Sequence, residues 1–177
     1  MGAPPPRRAD GPRVIVIGAG AVGLFCAVEI ARRGGAVTVI EADAAFPPNG
    51  PRAASHAAAG MLGPFSEVLH EGPGLNRRLG DLCHEGLKAW REVAARDAAL
   101  ARFVTFCGAV LLAYDDVDAA RLRKACDRAH VHGEAGDMFE TPPAEFPGHL
   151  YGDAVRACAH LPGEGVVAPS QMLQALA

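Results

Sequence analysis

The sequence predicts an α/β fold that opens with a βαβ unit. Three observations carry this. Val14-Ile15-Val16-Ile17 is an unbroken apolar run, the pattern of a parallel strand buried on both faces. Gly18-Ala19-Gly20-Ala21-Val22-Gly23 follows it without a break. A second β-branched run, Ala36–Ile40, ends on the acid Glu41.

The elements follow in order. Residues 1–12 are proline-rich, lack an apolar core and read as a disordered tail, not a signal peptide or a myristoylation site. Leu24 to Arg33 reads as a helix that offers Ala27, Val28, Ile30 and Ala31 to a sheet, and Gly34-Gly35 stops it. Residues 45–53 are a turn-rich break. Residues 72–97 form a helical pattern with Leu75, Leu79, Leu82, Leu87, Trp90, Val93 and Ala94 on one stripe, Trp90 as a core anchor. Gly108–Tyr114 is a strand, and 115–130 a helix whose acidic start suits the helix dipole. Met138 to Pro147 reads as irregular and proline-broken, and 149–161 as one or two short strands. A last helix begins at Pro169 or Ser170.

Composition narrows the function classes. Half of the 177 residues are hydrophobic and 21% are charged, as in a globular chain. A net charge of −3 provides neither a basic footprint for nucleic acid nor a polybasic membrane patch. Arg77, Arg78, Arg121, Arg123 and Lys124 read as solvated helix faces. Five cysteines without a CxxC pair fit reduced thiols in the cytoplasm. His130 and His132 lack further ligands at metal spacing, so no metal is expected.

The glycines carry the chemistry. Gly18 permits the tight turn out of the strand, Gly20 lets backbone approach a pyrophosphate, and Gly23 lets helix and strand pack closely. A dinucleotide's phosphates would meet the N–H groups and positive end of the helix, beside Ala21 and Val22. Glu41, roughly 20 residues beyond the motif, is placed to accept from ribose hydroxyls and would repel a 2′-phosphate. The motif itself leaves open NAD, FAD and a glycine-rich turn that binds nothing.

The stretch from Ala54 to Glu67, "ASHAAAGMLGPFSE", narrows the choice. "VIVIGAGAVGLFCAVEIARRGGAVTVIEAD" followed by "SHAAAGMLGPFSE" resembles the start of the D-amino-acid oxidase family of flavoproteins, most of all its glycine-oxidase, ThiO-type branch, which serves thiamine biosynthesis. The resemblance implies a Rossmann-like FAD-binding fold with the start of a substrate-domain sheet. It places Ala21 and Val22 by the pyrophosphate, Glu41 and Ala42 by the adenosine ribose, and Ala54, Ser55, Ala59, Gly60 and Met61 further along the cofactor. Small residues such as Ala58, Ala59 and Gly60 would let backbone meet a large planar ring. Two departures stand out: Ala54 where a hydroxyl is common, and His56 where Ser or Trp is common, His56 reading as a loop residue rather than a catalytic base.

By the same resemblance, residues 13–105 form the FAD part, 106–165 begin the substrate domain, and 166–177 return to the FAD part. The implied reaction is oxidative deamination of glycine or a D-amino acid, with flavin reoxidised by O2 to give peroxide. The expected partner is a small amine or amino acid, with no nucleic acid or membrane, and a homo-oligomer is compatible with the full-length form. No catalytic residue and no arginine for a substrate carboxylate can be matched, so the chain reads as the N-terminal part of a longer enzyme, inactive alone. The alternatives are a NAD-binding dehydrogenase fragment and a non-catalytic remnant.

Overall fold

The structure is a computed structural model, and it describes residues 11–44, 54–67, 75–141, 143 and 154–177. The turn-rich break at 45–53, most of the proline-broken segment and the start of the 149–161 stretch lie outside the described residues. By their contacts the described residues form two compact units, Met1–Ala59 with Ala168–Ala177, and Gly60–Val167. Residues 60–105 thus share a compact unit with 106–167.

The first unit is built on strand β1 (Arg13–Ile17), helix α1 (Ala21–Arg32) and strand β2 (Ala36–Ile40). β1 and β2 pair in parallel, from Arg13 opposite Ala36 to Ile17 opposite Ile40. Helix α1 starts at Ala21, before the expected Leu24, because Gly20 serves as N-cap with its backbone alone. Arg32 in the last turn complements the dipole. Pro12 belongs to the fold rather than to a free tail: its carbonyl accepts from Ala36 N–H at 3.0 Å.

The expectation that both faces of β1 are buried is corrected. Each strand alternates, and Ile15 and Ile17 are 65% and 85% exposed. The two-stranded sheet packs on α1, and a single helix covers a single face. The unit also holds a short helix α2 (Ala54–Ala57) and a C-terminal helix, α6 (Pro169–Leu176), which packs against both α1 and α2. Pro169 stands at its first turn, as expected.

The second unit contains strands β3 (Met61–Leu62), β4 (Val104–Thr105), β5 (Ala109–Ala113), β6 (Asp137–Phe139), β7 (Ala157–Leu161) and β8 (Gly165–Val167). Its helices are α3 (Leu75–Arg96), α4 (Ala98–Ala101) and α5 (Asp116–Val131). Two antiparallel sheets result, in the orders β3-β8-β4 and β5-β7-β6. Met138 and Phe139 lie in β6, so the irregular reading of Met138 onward fails at its start: Met138 opposes Ala159 in the ladder. Helix α5 begins as expected, with the Asp115 side chain accepting from Asp118 N–H at 2.8 Å.

The core of this unit lies between α5 and the β5-β7-β6 sheet. Ala113, Ala119, Ala125, Ala129, Ala157 and Ala159 let helix and sheet approach closely, and Leu122, Leu161 and Phe65 fill the rest. Burial raises the thiol pKa of Cys126 and Cys158. The α3 stripe differs from the expected one: Trp90 is only half-buried and Leu82 is exposed. The buried face runs instead through Gly80, His84, Leu87 and Val93. The reason is polar, because His84 is drawn into contact with Phe65 and His132. Among the described residues no helix is long and apolar enough to cross a membrane.

A Cβ added at Gly23 would collide with the carbonyl oxygen of Gly18, a backbone atom that cannot swing aside. Gly23→Ala should therefore cost about 1–3 kcal/mol, read as a shift in the urea midpoint. Wild-type stability in that variant would show that the helix and turn can separate freely.

Candidate functional site in the glycine turn

The turn from β1 into α1 is shaped by three glycines, each for a different reason. Gly18 has φ +98°, a backbone conformation that L side chains rarely adopt. Gly20 caps the helix at φ −71° and faces the Ser55 hydroxyl, 3.5 Å from where a Cβ would lie. Gly23 sits under Gly18 and Val16. The first N–H groups of a helix have no intrahelical partner, and the first turn of α1 carries no acid to repel an anion.

Two side chains from distant points of the sequence reach this turn. Glu41, just past β2, accepts from Ala19 N–H at 2.6 Å, and also from Ala42 N–H at 2.7 Å and Asp43 N–H at 3.0 Å. The bonds from backbone, the Ala19 bond foremost, hold the Glu41 carboxyl below its ordinary value. Ser55, on α2, accepts from Ala21 N–H at 3.1 Å. Gly18 N–H donates to Ile40 O at 2.7 Å, which ties the turn to the end of β2.

The structure therefore brings Gly18, Gly20, Ala21, Gly23, Glu41, Ala42 and Ser55 together. Val22 is 81% exposed. Ala54 and Ala59 are exposed in the same unit. Gly60 and Met61 belong to the second unit, where Gly60 has φ +77° and Met61 pairs with Val166. His56, read as a bland loop residue, has a partner in the C-terminal helix: Ser170 Oγ lies 3.2 Å from its Nδ1. No local signal could have shown that pair, because the two residues meet only when α6 returns to the first unit.

These residues fit a nucleotide with a pyrophosphate. The glycines leave backbone open to close approach, the helix presents its positive end, and a hydroxyl and a carboxylate flank it. The profile of the FAD dependent oxidoreductase family, DAO, matches residues 13–177. The chain belongs to this family. The cofactor of the family is FAD, which removes the NAD alternative that the glycine motif left open.

Three further comparisons agree in kind. The bifunctional protein ThiO/ThiG of Nostoc sp. is 46% identical over 59 residues, 33% of this chain and 8% of that protein. Glycine oxidase from Geobacillus kaustophilus superposes with a TM-score of 0.73 at 24% identity, over 93% of this chain and 43% of that one. Iminodiacetate oxidase from Chelativorans sp. BNC1 gives 0.70 at 23% identity, over 93% and 43%. The structural likeness establishes the fold. The chain spans less than half the length of these solved structures and a small part of the curated relative.

A second polar cluster lies in the other unit and went unread in the sequence. Arg91 on α3 makes a paired contact to Glu134 at 2.5 and 3.0 Å and donates to Gly163 O at 2.9 Å. His84 Nε2 lies 3.4 Å from the same carboxylate, while its buried Nδ1 has no hydrogen-bond partner among the described residues. The His84 and His132 rings are 4.5 Å apart, and His132 pairs with Asp81 at 3.2 Å. Glu164 is 1% exposed and accepts from Phe65 N–H, Ser66 N–H and the Ser66 hydroxyl. Burial raises its pKa despite those donors.

Arg91 holds the Glu134 carboxyl below its ordinary value, chiefly through the side-chain hydrogen bond. A group depressed in the folded state stabilises the fold above its unfolded pKa, and that contribution is lost as pH falls through the folded value. Glu134→Gln should cost about 2 kcal/mol at neutral pH. Urea melts from pH 7 downward should show the gap between variant and wild type closing below the ordinary glutamate range. A gap independent of pH would remove the ion pair as its cause.

Proposed function

We propose that this chain is the cofactor-binding part, with the first substrate-side elements, of an FAD-dependent amino-acid or amine oxidase of the glycine-oxidase type. The observation that carries the proposal is the glycine turn with Glu41 and Ser55 on its two flanking N–H groups, in a chain of the FAD-dependent oxidoreductase family. We assign residues 13–105 and 166–177 to the cofactor and 106–165 to the start of the substrate domain. The ThiO/ThiG likeness supports thiamine biosynthesis as the process, and we assign the protein to the cytoplasm on its reduced-thiol cysteine pattern. The partner is a small amine or amino acid, not nucleic acid or membrane.

Bound FAD supplies the two-electron oxidation of the substrate's C–N bond, with O2 as final acceptor and peroxide as product. The chain's own residues bind and orient. Backbone N–H groups at the start of α1 meet the pyrophosphate. Glu41 accepts from the adenosine ribose, with Ala42 beside it. Ser55 sets the rim of the turn, and Ala54, Ala59, Gly60 and Met61 keep contacts along the rest of the cofactor. No residue is assigned a proton-transfer role, and no arginine of the chain matches a clamp for a substrate carboxylate.

Titration of the purified chain with FAD, followed by flavin fluorescence, tests the reading. Gly20→Val should keep the fold, since a Cβ there meets Ser55 Oγ at an ordinary 3.5 Å, and lose the cofactor. Glu41→Arg should weaken FAD roughly tenfold or more. Full retention of FAD by Gly20→Val would move the phosphate site elsewhere. Peroxide release with added FAD and glycine, sarcosine or D-amino acids should stay at background for these residues alone. Steady flavin-dependent release would instead show that the chain builds a complete site.

A further inference from the structure

We infer that Glu41 is a positioning residue for the glycine turn and leaves a bound nucleotide a single acceptor site, an inference that rests on the nucleotide reading above. A carboxylate has about four lone-pair sites on its two oxygens. Oε1 is filled by Ala42 N–H at 2.7 Å and Asp43 N–H at 3.0 Å. Oε2 accepts from Ala19 N–H at 2.6 Å and, among the described residues, keeps one further site. A ribose hydroxyl therefore has one place to donate, on the oxygen that already grips the turn.

The grip matters because the turn's own glycines have no side chains to hold it, and the bond from Gly18 N–H to Ile40 O anchors only its start. Gly18 and Gly20 flank Ala19 and have no side chains, and Gly18 stands at φ +98°. Ala19 itself is fully buried, at 0% exposure. Its methyl group is packed on one side and its N–H is bonded to a charged acceptor on the other. That fixes the peptide plane ahead of Gly20, while Ser55 fixes the N–H of Ala21 beyond it. Both ends of the phosphate-facing backbone are thus set before any ligand arrives, which lowers the ordering cost of binding. An amide serves this role only in part: Glu41→Gln sets its NH2 group against either the Ala19 N–H or the Ala42 and Asp43 N–H groups, all of which the carboxylate now accepts from.

Two measurements on the full 177-residue chain test this. In the first, the amide proton of Ala19 is followed against pH by NMR. Its shift should titrate with a midpoint below the ordinary glutamate value, because the Ala19 bond leads in holding Glu41 ionised. The titration should persist in Asp43→Asn and vanish in Glu41→Gln. An Ala19 amide that does not titrate, or that loses its titration in Asp43→Asn, overturns the inference, and the wild-type arm decides even where Glu41→Gln fails to fold. In the second, ADP and 2′,3′-dideoxy-ADP are titrated calorimetrically into wild type and Glu41→Gln. A positioning role weakens both nucleotides at least tenfold in Glu41→Gln, with the circular dichroism and melting curve retained. Loss for ADP alone means that Glu41 serves only the ribose, which overturns the inference. A wild-type chain that binds neither nucleotide sinks the nucleotide reading, while the Ala19 titration still decides the positioning role.

Discussion

Helix α1 starts so close beneath the turn that precedes it that the backbone of Gly18 occupies the space a side chain at Gly23 would need. Much of the first unit depends on that contact. It sets where the helix begins, and so where its unpaired N–H groups point. It seats α1 on Val16 and so gives the paired strands β1 and β2 their covered face. The link from Gly18 N–H to Ile40 O then brings the end of β2, and with it Glu41, up to the same turn.

The second unit solves a different problem, that of joining short strands far apart in the chain. Its alanine-rich core gives closeness but little buried volume per side chain. Polar clamps, one buried and one part-buried, supplement it. Glu164 gathers the N–H groups of Phe65 and Ser66, and Arg91 ties Glu134 on one side and Gly163 on the other. Removing a partner of the buried Glu164 strands the rest without water, so that site is sensitive to single changes.

What the sequence revealed was local. The βαβ unit was legible because apolar runs, glycines and a terminal acid fall within one short stretch, and α5 because Asp115 caps it by side chain. The true start of α1 was not, since Gly20 caps by backbone and leaves no side-chain signature. Strands β3, β4 and β8 were missed because two or three residues carry no periodicity, and their pairing, such as Met61 with Val166, joins distant parts of the chain. The face of α3 was misjudged because only apolar residues, Trp90 among them, were placed on it, when ring contacts and a carboxylate partner make His84 the better buried residue. At the site, the glycines and Glu41 were readable by type and spacing. The acceptor role of Ser55 toward Ala21 was not, because it depends on where α2 comes to rest.

The chain leaves the first unit after Ala59 and re-enters it at Ala168. Val167 N–H donates to Gly60 O at 2.8 Å, so the two ends of the intervening unit meet in one hydrogen bond. The whole second unit thus enters and exits through a single doorway. Such a unit is a cassette: a module with adjoining ends can be enlarged, exchanged or shortened without moving the strands of its host, since the gap it leaves is one that a tight turn can close. A host of this kind can therefore keep its glycine turn as it is while the cassette is renewed.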